Sequence, residues 1–164
     1  CQGNGVHAKP KRFTVGIPLG VSTGVTQRLS GMGPAGPRGG GHGDIHIRYQ
    51  VAAHERFERV GDDLHEELWI PVTQAALGAL LEYETIENAE TLQIPAGTKP
   101  GEQFRFRGKG VPRLQRRGRG DLIVTVVVDT PTNLSKGDKA LLLKLAQGRK
   151  EEVSSKGLRS SKRH

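Results

Sequence analysis

The sequence contains an internal repeat at one constant offset, and this feature restricts the possible fold more than any other. Residues 14–51 align without a gap with residues 91–128, and 12 of the 38 aligned positions are identical. All six glycines of the second segment match a glycine of the first, whereas about 1.6 matches are expected by chance from six and ten glycines. Because glycine tolerates positive φ and close backbone approach, glycines repeated at one spacing indicate repeated backbone geometry. The chain therefore contains two copies of one unit.

Alternation of apolar and polar residues predicts that both copies are built from β-strands. Residues 13–17 and 45–51 alternate with a period of two, and residues 122–128 are apolar on nearly both faces, which predicts a more buried strand. With 34% apolar residues, 23 glycines and 9 prolines, the chain is suited to short strands, many turns and small cores. We expect a mainly β fold of two tandem small sandwich-like or barrel-like units with short helices, ending in a short C-terminal helix.

Two helices and one hairpin are predicted from local signals. Thr73 is placed as the N-cap of a helix over residues 73–81, and residues 82–92 read as strand, turn at 87–89, and strand. Ser135 and Asp138 form a capping-box pattern that opens a leucine-rich helix ending near Gln147, with Gly148 as the stop.

The offset of the repeat also predicts the unit boundaries. The lead-in to the second unit begins near Asp63, and its counterpart in the first unit would precede residue 1, which is Cys rather than Met. We therefore expect an N-terminally truncated fragment. Its predicted parts are a remnant at residues 1–11, half of a first unit at 12–60, a complete second unit at 61–133, a helix at 134–148 and a disordered basic tail at 149–164.

Charge is distributed unevenly along the chain, whose formal net charge is +8. Residues 99–119 carry eight basic residues against Glu102 alone, and residues 149–164 carry six basic and two acidic residues. Such stretches suit nucleic acid, an acidic partner or solubility, and a solvated surface is the default interpretation. The chain has no apolar run of membrane-spanning length and no signal-peptide pattern, and its single cysteine, Cys1, excludes an internal disulfide. We expect a reducing, cytoplasmic location.

No catalytic constellation is present, and the candidate chemical motifs are weak. His42, Asp44 and His46 share one predicted strand face, but Asp44 is repeated as Asp121 between unlike neighbours, which indicates a turn residue rather than a metal ligand. Residues 107–110 read Arg-Gly-Lys-Gly but lack the other positions of a phosphate-binding loop. Cys1 opens a C-x-G-x-G motif, and one thiolate cannot supply the four ligands of a structural zinc site. We expect no enzymatic activity.

The remaining motifs resemble one family. They are, in chain order, C-x-G-x-G at residue 1, I-P-x-G-V-x-x-G at 17, R-L-x-G-x-G at 28, G-D-I-x-I at 43, H-x-x-F-x-R-x-G-x-D-L at 54, A-x-L-G at 75, I-P-x-G-T-x-x-G at 94, G-K-G-V-P at 108, G-R-G-D-L-x-V at 118 and L-S at 134. Together they resemble the C-terminal substrate-binding region of the DnaJ family of J-domain co-chaperones, in its zinc-bearing class. The resemblance runs from Cys1 to about Gln147, and residues 86–89 depart from the T-L-D-G common in the family.

The resemblance implies that two stacked β units bind unfolded client polypeptides and deliver them to a DnaK-type chaperone through a J domain that is absent here. It implies zinc in the intact protein, with Cys1 as one ligand, and none in this fragment; a homodimer is possible. Connector residue Phe57 is either a plug for the core, which composition favours, or an exposed anchor. Joined with the period-two apolar face, the resemblance predicts a client groove in the first unit. Its predicted residues are Phe13, Val15, Ile17, Ile45, Ile47 and Phe57.

The rival hypothesis is a basic β protein that binds nucleic acid through residues 99–119. Single-strand binding uses aromatic side chains as stacking platforms, and we expect the two candidates, Phe104 and Phe106, to face inward. The chaperone hypothesis is therefore preferred.

Overall fold

The computed structural model describes residues 9–153. In this range the chain forms eight β-strands, two α-helices and one short 3₁₀ turn. The strands are β1 (Thr26–Leu29), β2 (Ile45–Arg48), β3 (Glu58–Val60), β4 (Asp63–Pro71), β5 (Ala79–Glu84), β6 (Ala89–Ile94), β7 (Gln103–Phe106) and β8 (Leu122–Asp129). The helices are α1 (Val72–Leu77) and α2 (Lys136–Arg149), and the 3₁₀ turn is Pro37–Gly39. The predicted mainly β fold, with short helices and a helix near the C-terminus, is confirmed.

The strands form three sheets. β1 and β2 make an antiparallel ribbon, β5 and β6 make a hairpin, and β3, β4, β8 and β7 make a four-stranded sheet in that order. Within the four-stranded sheet β4 runs parallel to β8, while β3–β4 and β7–β8 are antiparallel. Because β3 pairs with β4, the sheet of the second unit includes residues that precede the predicted boundary at residue 60.

The repeat in the sequence corresponds to a repeat in the structure. At the offset of the repeat, β1 coincides with β7, and β2 coincides with the first four residues of β8. The strand register and the isolated bridge beyond it are the same in both copies. The equivalent pairs are Thr26–Arg48 with Gln103–Thr125, and Ala35–His42 with Pro112–Arg119.

Each copy is closed by an aspartate at the same turn. The Gly31 amide donates to Asp44 Oδ1 at 2.8 Å, and Arg28 Nε donates to Asp44 Oδ2 at 2.7 Å. In the second copy the Gly108 amide donates to Asp121 Oδ1 at 2.8 Å, and the Arg105 guanidinium lies 3.3 Å from Asp121 Oδ2. The predicted role of Asp44 as a turn residue is confirmed. The Gly31 amide, followed by the Arg28 guanidinium, lowers the pKa of Asp44.

The core lies in the second unit. Leu122, Val124 and Val126 of β8 are fully buried, as are Ile70 of β4 and Ile94 of β6. β8 is thus more buried than β2, whose residues alternate between half-buried and exposed, as the sequence predicted. The hairpin β5–β6 covers the inner face of this sheet, with the rings of Tyr83 and Phe106 stacked at 5.3 Å.

Three predicted helix boundaries are wrong. Thr73 is not an N-cap, because β4 continues to Pro71, whose extended backbone (φ −60°, ψ 148°) caps α1 without a side-chain bond. α1 ends at Leu77 because Gly78 adopts φ 84°, and residues 79–81 belong to β5. Gly148 lies inside α2, and the left-handed C-cap is Lys150.

The N-terminus of α2 is as predicted. Ser135 accepts a bond from the Asp138 amide through its side chain, and the Asp138 carboxylate accepts one from the Ser135 amide. No helix within residues 9–153 is long and apolar enough to cross a membrane.

Candidate functional site

The β1–β2 ribbon presents one apolar face. Leu29 lies opposite Ile45, and Gln27 lies opposite Ile47, and all four are half-buried. Tyr49 extends this face and donates its hydroxyl to Gln27 Oε1. The other face of the ribbon is exposed and polar.

The equivalent face of the second unit is a closed core. Ile45 and Ile47 correspond through the repeat to Leu122 and Val124, and both of these side chains are completely buried. In the second unit the covering layer is the β5–β6 hairpin, whereas the apolar face of the ribbon stays partly accessible within residues 9–153. The ribbon thus presents apolar surface of a kind that its copy buries.

The segment before the ribbon carries exposed apolar side chains. Phe13 is 41% exposed, Ile17 68% and Leu19 78%, while Val15 is half-buried. Residues 13–17 were predicted as a strand, but they form no regular strand. Their counterparts, residues 90–94, lie in β6, which pairs with β5. Because a strand needs a ladder partner, and no backbone hydrogen bond within residues 9–153 engages residues 11–17, the strand-like pattern alone does not produce a strand.

The end of this segment is fixed to the second unit. Arg59 donates from its two terminal nitrogens to the carbonyls of Gly20 and Val21, each at 2.8 Å. Gly20 also packs so closely on Pro112 that a Cβ there would lie 1.9 Å from the Pro112 carbonyl oxygen. Residues 11–19 therefore precede a position that is fixed to the second unit by hydrogen bonds and close packing.

Phe57 lies away from these side chains in the core of the second unit. It is 6% exposed and belongs to the same buried cluster as Leu64, Tyr83 and Leu122. The composition of the connector favoured a side chain that fills the core over an exposed anchor, and Phe57 does lie in the core. A contact between Phe57 and a client would require the ring to leave the cluster, so the structure gives Phe57 a packing role instead of the exposed one expected of an anchor.

A polar network holds the connector at this point. Arg56 donates two hydrogen bonds to the Glu66 carboxylate, at 3.0 and 3.2 Å, and its guanidinium lies 5.0 Å from the centre of the Phe57 ring. Tyr83 donates its hydroxyl to Glu66 as well. Burial, followed by the hydrogen bond to Glu66, raises the pKa of Tyr83.

The basic stretch at residues 99–119 is partly neutralised by ion pairs. Four of its eight cations pair with carboxylates at 2.5 to 3.7 Å: Arg105–Asp121, Lys109–Glu90, Arg113–Asp62 and Arg119–Glu87. The Gly108 amide, the centre of the phosphate-loop resemblance, is bound to Asp121. Phe104 and Phe106 pack against the core, as predicted, and offer no stacking platform. The nucleic-acid hypothesis gains no specific support.

Metal ligation finds no support in the described part of the chain. His42 Nδ1 lies 3.1 Å from the Gly33 carbonyl oxygen, and Asp44 is held by Arg28 and Gly31. Residues 9–153 contain no group of three His, Cys, Asp or Glu side chains that could hold a metal ion. Cys1, the predicted zinc ligand, lies outside the described residues, and one thiolate does not make a zinc site.

Sequence reasoning missed two surface features of these residues. One is an open surface depression of about 560 Å³ lined by Lys11, Arg12, Phe13 and Thr14. The other is an acidic cleft of about 550 Å³ lined by Glu55, Arg56, Glu58, His65, Glu66, Glu67 and Thr125. No sequence motif marks either feature, but the run of cations before Phe13 could have indicated the feature at residues 11–14.

The comparisons with known proteins agree with this architecture. A sequence model of the family described as "DnaJ C terminal domain" matches residues 4–131. The chain belongs to this family. It is 44% identical over 142 residues to a protein named Chaperone protein DnaJ from Desulfotalea psychrophila, covering 87% of this chain and 38% of the relative. It is 46% identical over 155 residues to the protein of that name from Halalkalibacterium halodurans, covering 93% and 42%.

A third relative of that name, from Halobacterium salinarum, is 45% identical over 141 residues, covering 86% of this chain and 36% of the relative. The chain thus spans about two fifths of the length of these DnaJ relatives.

Proposed function

We propose that this chain is the polypeptide-binding region of a DnaJ-type co-chaperone, and that it holds unfolded clients on the apolar surface of its first unit. The observation that carries the proposal is the exposed segment at residues 13–19, whose apolar side chains precede a ribbon with a half-buried apolar face. Contiguous exposed apolar surface marks interaction sites.

Clients bind by two additive contacts. The backbone of residues 11–17, which makes no backbone hydrogen bond within residues 9–153, pairs with an extended client chain, and this supplies affinity for any sequence. Apolar client side chains pack on Phe13, Val15 and Ile17 and on the face that contains Ile45 and Ile47. Burial of one Phe or Leu side chain contributes roughly 1.5–3 kcal/mol. Phe57 contributes by fixing the connector in the core.

Partners and cofactors of the whole protein follow from the family. Binding of clients at this site prevents their aggregation, and the clients then pass to a DnaK-type chaperone. This chain itself has no catalytic role. A homodimer through α2 is supported by its exposed leucines, Leu141, Leu142, Leu143 and Leu145. Zinc binds Cys1 only together with further cysteines, so the chain alone binds no zinc in a stoichiometric tetrahedral site.

Paired substitutions of exposed residues test the client site. Phe13→Ala with Ile17→Ala removes two exposed side chains and is expected to weaken binding of an unfolded client at least tenfold, with the melting temperature unchanged. The matched control is Leu77→Ala with Leu80→Ala, which removes two exposed leucines from the second unit. Suppression of client aggregation and peptide affinity are measured for both variants.

Phe57→Ala separates packing from client contact. It is expected to lower the unfolding free energy by about 3–5 kcal/mol, because it empties a buried site.

Equal client affinity in the Phe13→Ala/Ile17→Ala variant and in the Leu77→Ala/Leu80→Ala control would place the client site elsewhere.

A further inference from the structure

Three cations lie immediately before the exposed Phe13. Lys9, Lys11 and Arg12 are all exposed, and Lys11 and Arg12 line the same open surface depression as Phe13 and Thr14. This arrangement places positive charge at one end of an apolar contact surface. A polypeptide that packs a side chain on Phe13 and continues along residues 9–12 meets these three charges.

No carboxylate neutralises these cations. No ion pair joins Lys9, Lys11 or Arg12 to an acidic side chain within residues 9–153, and the residues outside that range include no Asp or Glu. The sequence contains no acidic residue before Asp44, and Asp44 is bound to Arg28 at 2.5 Å. The positive potential at the start of the first unit is therefore uncompensated.

The second unit lacks these cations at the equivalent place. At the offset of the repeat, the counterparts of the three cations are Ile86, Asn88 and Ala89. Phe13 itself corresponds to Glu90, and Glu87 lies in the same turn. The second unit thus has no cation at these three places, and the cations are a property of the first unit and not of the repeat.

We propose that the first unit selects apolar client segments that carry Asp or Glu two to four residues from the apolar anchor. The inference rests on the proposed function and names its substrate class. A client strand alongside residues 9–17 rises about 3.3 Å per residue. When its apolar side chain packs on Phe13, carboxylates two and four positions away lie opposite Lys11 and Lys9.

The expected preference is modest and depends on salt. Exposed ion pairs contribute little individually, so two of them give about a threefold gain over neutral flanks and about tenfold over basic flanks. The Debye length shortens from about 30 Å at 0.01 M salt to about 3 Å at 1 M salt. The preference is therefore greatest in dilute buffer and lost in concentrated salt, whereas the apolar contact is retained at both salt concentrations.

The test uses four fluorescent peptides and the full 164-residue chain. Three share one apolar heptapeptide core flanked by Asp, by Ser or by Lys pairs, and the fourth has Asp flanks around a Gly-Ser core. Dissociation constants are measured by fluorescence polarisation at low and high salt. The proposal expects the order Asp, Ser, Lys at low salt, equal affinities at high salt, and no binding of the Gly-Ser peptide.

Two charge-reversal variants locate the effect. Lys9→Glu/Lys11→Glu/Arg12→Glu is expected to invert the order of affinities. Lys136→Glu/Lys139→Glu/Lys144→Glu changes net charge equally, at exposed positions of α2, and is expected to preserve the order. An equal response of the two variants, or equal affinity for the three flanks, overturns the inference. Binding of the Gly-Ser peptide overturns it too, because polyanion attraction then suffices.

Failure of the proposed function gives a different result. If the Ser-flanked peptide does not bind at either salt concentration, the apolar client site is absent and the inference falls with it. If the Ser-flanked peptide binds and the flanks make no difference, only the inference falls.

Discussion

Gly120 and Gly43 occupy equivalent positions of the repeat, and the same substitution is expected to destabilise the protein at Gly120 and to have little effect at Gly43. A Cβ at Gly120 would lie 2.0 Å from the Asp62 carbonyl oxygen and 2.6 Å from Asp63 Oδ1. A Cβ at Gly43 would meet nothing closer than the Pro34 carbonyl oxygen at 3.8 Å. Neither glycine has a left-handed φ, so the contrast is one of space.

The cost at Gly120 follows from what must move. The Asp62 carbonyl is backbone, so no rotamer change relieves the overlap, and the start of β4 must shift. Three hydrogen bonds of 2.7 to 2.9 Å hold the start of β4 in place. The Leu64 amide donates to the Asp121 carbonyl, the Val111 amide to the Asp62 carbonyl, and the Asp121 amide to Asp63 Oδ1. Overpacking costs about 1–3 kcal/mol, and each weakened bond adds roughly 0.5–1.5 kcal/mol. We expect Gly120→Ala to cost about 3 kcal/mol or more.

Thermal and urea unfolding measure the contrast. At this chain length 1 kcal/mol corresponds to roughly 2–4 °C, so Gly120→Ala should lower the melting temperature by about 6–12 °C. Gly43→Ala should change the unfolding free energy by less than about 0.5 kcal/mol. Trp69, the only tryptophan of the chain, lies in β4 and reports detachment of that strand. Equal effects of the two substitutions would refute the docking of β4 against the Gly120 turn.

Three further predictions concern local stability. Native-state hydrogen exchange is expected to be slower at residues 122–128 than at residues 45–51, because β8 is paired on both sides and buried; equal protection would contradict this. The unfolding free energy is expected to fall above about pH 10, because the raised pKa of Tyr83 makes ionisation easier in the unfolded chain. Tyr83→Phe should remove that pH dependence. Ser135→Ala should cost about 1 kcal/mol and fray α2, seen as lost helical circular dichroism.

The sequence was most informative where structure depends on local backbone geometry. Glycines at the repeated spacing adopt matching conformations: Gly20 and Gly97 have φ 79° and 83°, and Gly31 and Gly108 have φ 69° and 70°. The role of Asp44 was predictable because the repeat places Asp121 at the equivalent position, and both aspartates accept a bond from the equivalent glycine amide. The family resemblance, which rests on the same motifs, was also correct.

The sequence was least informative where structure depends on a distant partner. Residues 13–17 have the pattern of a strand, but a ladder requires a second strand, which the pattern does not specify. Phe57 belongs to a connector by sequence, and only the packing of β3 and β4 shows that it enters the second core. The predicted N-cap at Thr73 failed because the pairing of β4 with β8 extends the strand to Pro71.

The geometry of the shared turn explains how two copies of one unit diverged. Arg28 and Arg105, which bind the turn aspartates, lie on the exposed face of their strands, so the opposite face is free to change. In the second unit that face carries Phe104 and is sealed into a core. In the first unit the same position is Gln27, which accepts a bond from Tyr49. A buried core excludes such a polar pair unless it is satisfied, whereas a surface that meets changing partners tolerates it. The repeated aspartate turn is thus kept in both units, and the face opposite it is where they differ in burial.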